Sequence, residues 1–228
     1  MTGRSLRRAV PWFLLMIPMT SFAQDDLDAM FGIASMPAYI KHYEADRSGK
    51  VLINPYLQVA TPDFPAILVP GKMIYKWVID LEGRLAIIQE VPHPLGRTYQ
   101  RGFFRPEDKS RREPGYQESY GHVSAVSGGP ARISGEILYD EEHNLFSINN
   151  KSGRYSRFNP DRTPAQLAAA ARLIHRLVDP GTATWGPVFY LLDYAPDSLK
   201  EQLLASPDLA FDDPEKKTHP HLLLPPSR

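Results

Sequence analysis

The chain has 228 residues, with 43% hydrophobic and 23% charged side chains, which fits one ordinary globular domain with arms and excludes collagen-like, coiled-coil and wholly disordered chains. Lysine plus arginine and aspartate plus glutamate both number 26, so the whole chain lacks the basic field that nucleic-acid binders use. The absence of cysteine excludes disulfides, thiolate metal sites, a cysteine nucleophile and a lipidated-cysteine anchor.

The first element is a targeting signal. Arg4, Arg7 and Arg8 precede a short apolar run, Ala9 to Met19, and Ser21-Phe22-Ala23 supplies small residues where an export peptidase reads. Residues 1–23 are therefore expected to be a signal peptide cleaved after Ala23, since the run is too short for the roughly 20 residues a membrane-spanning helix needs. Cleavage removes three arginines and no acid, leaving a mildly acidic mature chain. The expectation is a periplasmic or secreted protein with no retained membrane anchor, an unidentified protein or other envelope partner, and no nucleic acid.

Residues 24–50 read as a peripheral N-terminal helical arm: Asp25, Asp26 and Asp28 suit a first helical turn, and Pro37 opens a second short helix through Tyr43. Residues 51–210 read as a single domain. From Val51 to Val69, short apolar runs cut by Pro55, Pro62 and Pro65 predict only edge strands. Met73 to Ile79 and Arg84 to Glu90 form a hairpin across Asp80-Leu81-Glu82-Gly83, where Gly83 takes positive φ. Residues 92–118 are a long polar loop with a mixed charge cluster, suited either to an anion-steering rim or to a solvated insertion.

Tyr120 to Ser127, Ala131 to Tyr139 and Asn144 to Asn149 carry β character, the second by strict alternation of Ala131, Ile133, Gly135, Ile137 and Tyr139 with more polar neighbours. Thr163, Pro164 and Gln166 then spell a capping box, and Leu167, Ala170, Ala171, Ile174, Leu177 and Val178 fall on one stripe, predicting an amphipathic helix over about 163–178 packed on the sheet. Trp185 to Tyr194 reads as a buried strand and Asp197 to Ala205 as a C-terminal helix. Residues 211–228, charged and then proline-rich, read as a disordered tail. The fold class is thus α+β: a mainly antiparallel sheet of hairpins with one packed helix and a second near the C-terminus.

The densest polar and glycine pattern runs from Gly121 to Tyr155: Gly121-His122-Val123-Ser124, Gly128-Gly129, Ser134-Gly135-Glu136-Ile137 and Ser152-Gly153-Arg154-Tyr155. This pattern, with the hairpin before it, resembles a domain found at the carboxyl ends of bacterial polymorphic toxins and effector-like proteins and in plant calmodulin-binding IQ-motif proteins. Members carry a His-Ser-Ser stretch, an Ala-Gly-Glu-type strand and Ser-Gly-His-Tyr followed by proline. The resemblance spans about residues 73–178 and departs at three places: Val123 replaces the middle serine, Arg154 replaces the histidine before Tyr155, and the proline is displaced to Pro160. It implies an exported toxin- or effector-like protein.

A His, a Glu and a Tyr in this order suit two tasks. In one, His122, Glu136 and Tyr155 are catalytic in group transfer from a nucleotide such as NAD, by ADP-ribosyl transfer or NAD hydrolysis. The carboxylate then stabilises a cationic transition state, and Ser124, Ser152, Gly153 and Arg154 bind. In the other, the same residues brace the fold of a non-catalytic envelope binding protein by satisfying buried groups. Other chemistries fit less well. No glycine-flanked nucleophile serine is present, Glu141 and Glu142 fall in a turn, and no Walker or Rossmann loop occurs. His219-Pro220-His221, in the tail expected to be disordered, is set aside as a metal site.

Overall fold

The computed structural model describes residues 24–71, 74–98, 117–155 and 162–225. Residues 1–23, expected to be a signal peptide, and most of the long polar loop lie outside them. The elements are, in order, α1 (Gln24–Phe31), β1 (Gln58–Ala60), β2 (Ala66–Ile67), β3 (Ile74–Asp80), β4 (Leu85–Gln89), β5 (Ala131–Asp140), β6 (Leu145–Asn149), α2 (Pro164–Leu177), β7 (Val178–Asp179), β8 (Thr184–Leu191), α3 (Asp197–Leu204), β9 (Leu209–Asp213) and β10 (Thr218–Leu224). Eight strands form one sheet in the order β1-β4-β3-β5-β6-β8-β10-β9, with β2 and β7 paired separately. All neighbours in the large sheet are antiparallel except β6 and β8. The α+β architecture expected from the sequence is what forms.

Local chemistry explains the central elements. The β3–β4 turn closes because Asp80 Oδ1 accepts from the main-chain N–H groups of Glu82 and Arg84 at 3.0 and 2.8 Å, while Gly83 sits at φ +78°. α2 starts on the predicted capping box: Thr163 Oγ1 accepts from the Gln166 N–H at 3.2 Å, and Gln166 Oε1 accepts from the Thr163 N–H at 2.9 Å. This helix is the crossover that a parallel β6/β8 pair requires. It packs Leu167, Ala170, Ile174 and Leu177 against Tyr75, Trp77, Ile137 and Ile148 on one face of the sheet.

Four expectations are corrected. Residues 211–224 are not a disordered tail: β9 and β10 are ordered strands, and β10 pairs with β8 from His221↔Leu191 to Leu224↔Val188. Leu222 and Leu224 drop into the main core, which supplies the burial that composition alone does not advertise. The 24–50 arm is not peripheral, because Leu27 and Phe31 join that core and Glu44 is 1% exposed. No helix forms at Pro37–Tyr43; residues 42–44 make a turn in which the Glu44 N–H donates to the Lys41 carbonyl. His122–Ala125 is a 3-10 turn rather than a strand, since both the N–H and the Oγ of Ser124 turn back to the Gly121 carbonyl.

The face of the sheet opposite α2 is divided. Over β3, β4 and the start of β5 it is sealed by the 3-10 turn, by Val51 and by Tyr155, which cluster with Val78, Ala86, Ile88 and Val123. Over β5, β6, β8 and β10 the same face forms a groove of about 420 Å³.

Candidate functional site

Register places the candidate residues. Lys76 of β3 lies opposite Glu136 of β5, and Glu136 opposite Asn149 of β6, so all three share the face away from α2. Gly135 is required between them: a Cβ there would run into the Asn149 carbonyl and the Trp77 ring.

The sealed part holds most of the predicted site. His122 Nε2 lies 2.9 Å from the Gly135 carbonyl. A carbonyl only accepts, so Nε2 carries the proton and donates. Burial, reinforced by the Lys76 cation, pushes the His122 pKa down to about 3, so the ring is neutral at physiological pH. Ser124 Oγ donates to the Gly121 carbonyl at 2.7 Å. Tyr155 Oη donates to the Gly129 carbonyl at 2.9 Å, and burial raises its phenol well above the ordinary range. Ser152 Oγ accepts from the Tyr155 N–H at 3.4 Å. Gly153 takes no positive φ, and a Cβ at this position would meet only Tyr39 Oη, at 3.7 Å, so no special backbone demand marks it.

Arg154 is 7% exposed and pairs with the buried Glu44 carboxylate, with the Tyr39 ring 5.0 Å from the guanidinium carbon. Beneath it, Lys76 Nζ contacts Glu90 Oε1 at 2.9 Å and donates to the Tyr120 carbonyl at 2.8 Å, and burial lowers the Lys76 pKa. The Arg154–Glu44 and Lys76–Glu90 pairs lock residues 39–44 and 119–121 onto the sheet. Sequence reasoning missed Glu44, Lys76 and Glu90. Only Lys76, a lone charge inside Tyr75-Lys76-Trp77-Val78-Ile79, carried a signal.

Glu136, whose charge also acts on Lys76 across the strand pair, borders that network on the groove side. Its carboxylate lies 3.4 Å from Lys151 Nζ, and Asn149 Oδ1 accepts from the main-chain N–H groups of Glu136 and Lys151 at 3.2 and 2.8 Å. Glu136 and Lys151 line the groove, together with Leu138, Ser147, Phe189 and Tyr194. Its far wall is β10. His221 Nδ1 lies 3.3 Å from Asp212 Oδ1 and 3.2 Å from the His219 carbonyl, and His219 Nδ1 lies 3.3 Å from Asp193 Oδ2. The structure therefore separates the predicted trio: His122 and Tyr155 point their donors into the fold, and Glu136 faces the groove.

Among the described residues, no group of three or more His, Cys, Asp or Glu is placed to hold a metal ion, and no helix is long and apolar enough to cross a membrane. No family model, curated protein or solved structure matches the chain.

Proposed function

We propose that the protein is an exported, non-catalytic binding protein that receives a protein or glycan partner of the cell envelope in the groove over β5, β6, β8 and β10. One observation carries this reading: the side-chain donors of His122, Ser124 and Tyr155 are all spent on main-chain carbonyls, those of Gly135, Gly121 and Gly129. A general acid or a ribose-binding hydroxyl must exchange its partner for the substrate, and each exchange here would give up a hydrogen bond made inside the fold. The arginine standing where the resembled family has histidine is likewise committed to Glu44. By contrast, the groove sets the apolar side chains of Leu138 and Phe189 beside the polar ones of Glu136, Ser147 and Lys151, the mixed composition of a recognition site. Export rests on the Arg4-to-Ala23 pattern, and it also argues against NAD as substrate, because nucleotide cofactors are scarce outside the cytoplasm.

The test incubates residues 24–228 with NAD and follows nicotinamide release, beside the His122→Ala/Tyr155→Phe double variant. The binding reading expects no release from either protein and a lower melting temperature for the variant. Release by the unaltered protein that disappears in a folded variant would overturn it in favour of a toxin-like transferase.

A further inference from the structure

The ordering of β10 changes what His219 and His221 are able to do. A histidine pair in a loose tail has no fixed geometry, whereas here both rings line one cavity, and each is held from behind. For His221 the partners of Nδ1 are the Asp212 carboxylate and the His219 carbonyl, and for His219 the partner is the Asp193 carboxylate. These oxygens accept only, so Nδ1 carries the proton in each neutral ring and the lone pair resides on Nε2. Neither Nε2 has a hydrogen-bond partner among the described residues. A carboxylate or carbonyl on Nδ1, fixing the tautomer that leaves Nε2 basic, is the arrangement that supports a metal-ligating imidazole.

Packing adds a second constraint. The His221 side chain is 12% exposed and its ring stands edge-on to Phe189 at 5.3 Å, so its orientation is set by the lining of the groove. His219 lies at φ +51° with its side chain 68% exposed, and the Asp193 contact is what orients its ring.

We infer that His219 and His221 form a binding site for a zinc-class divalent transition-metal ion, coordinated through their two Nε2 atoms. Nitrogen donors select zinc, nickel or copper over magnesium and calcium, which take oxygen. Asp193 and Asp212 act as positioning residues, and their charges also attract the cation. Two imidazoles leave coordination positions for water or for a donor atom of whatever occupies the groove, so the ion exchanges readily and adds an anchoring point for a ligand. This inference stands on the imidazole tautomers and holds whether or not the groove takes an organic partner.

The test titrates the full chain with zinc chloride in competition with a chromophoric chelator, using magnesium chloride as the control. One equivalent of zinc should bind, and magnesium should not compete. Binding should be lost in His219→Ala and in His221→Gln, the second preserving bulk against Phe189, and weakened about tenfold in Asp193→Asn. Absence of zinc binding by the unaltered protein would overturn the inference. Equal binding by the folded His219→Ala/His221→Gln variant would do the same, by assigning the ion to one of the other five histidines.

Discussion

The two halves of the sheet face opposite α2 use similar residue types to opposite ends. In the sealed half, His122, Tyr155, Arg154 and Lys76 are buried and turned inward, and the bonds they make join the 39–44 and 119–129 segments to the strands. In the grooved half, Glu136, Lys151, His219 and His221 also make bonds, yet all four line a cavity. A buried polar cluster and a polar cavity lining are thus distinguished by where the donors end, and residue type alone does not separate them.

That contrast breaks most visibly at the Arg154–Glu44 pair. Glu44→Ala leaves a buried guanidinium without its partner and should destabilise the protein by about 3 to 5 kcal/mol, read from urea unfolding. Gly135→Ala should follow at about 1 to 3 kcal/mol, because the new methyl group meets the Asn149 carbonyl and Trp77 with no flexible side chain to yield. Tyr155→Phe removes one buried donor to Gly129 and should cost about 1 to 2 kcal/mol in the same assay.

Acid sharpens the comparison. The folded-state pKa of His122 is depressed from 6.5 to about 3, so between these values the unfolded chain takes up a proton that the folded chain refuses. The contribution is complete above pH 6.5 and is lost as pH falls toward 3, with a limiting slope of about 1.4 kcal/mol per pH unit. His122→Gln, whose amide can still donate to Gly135, should therefore flatten stability against pH across this window. A variant with an unchanged acid slope would show that the ring is not buried neutral. The smallest effect belongs to the groove. Leu138→Ser and Asp193→Asn should change stability by less than about 0.5 kcal/mol while altering ligand or metal binding.

The legible parts of the fold were those written in local chemistry. The Asp80–Gly83 turn, the Ala131–Tyr139 strand and the Thr163–Gln166 capping box each involve residues within a few positions of one another, and each forms, although the strand is buried on both faces from Ala131 to Ile137 where its alternation suggested one. What was not legible depends on distant partners. His122–Ala125 has strand-like composition, yet Gly121 offers its carbonyl to Ser124 and the chain curls. The charged residues 211–217 and the prolines of the C-terminus suggest disorder, but Leu222 and Leu224 find the core only because β8 presents a free edge. The candidate site was half legible: its residues were found, whereas the inward direction of His122 and Tyr155 was set by Gly135 and Gly129 carbonyls that carry no sequence signature.

The parallel seam between β6 and β8 in the large sheet has a consequence for folding. Residues 58–149 complete the β1-β4-β3-β5-β6 ribbon from antiparallel pairings alone, but the outer edge of β6 acquires a partner only once α2 has crossed over and β8 has docked. Until then Leu145–Asn149 is an unpaired edge, with Phe146 and Ile148 uncovered by the helix that later buries them. The folding chain is most exposed to strand-to-strand aggregation in that interval, and any change that slows the docking of β8 would prolong it.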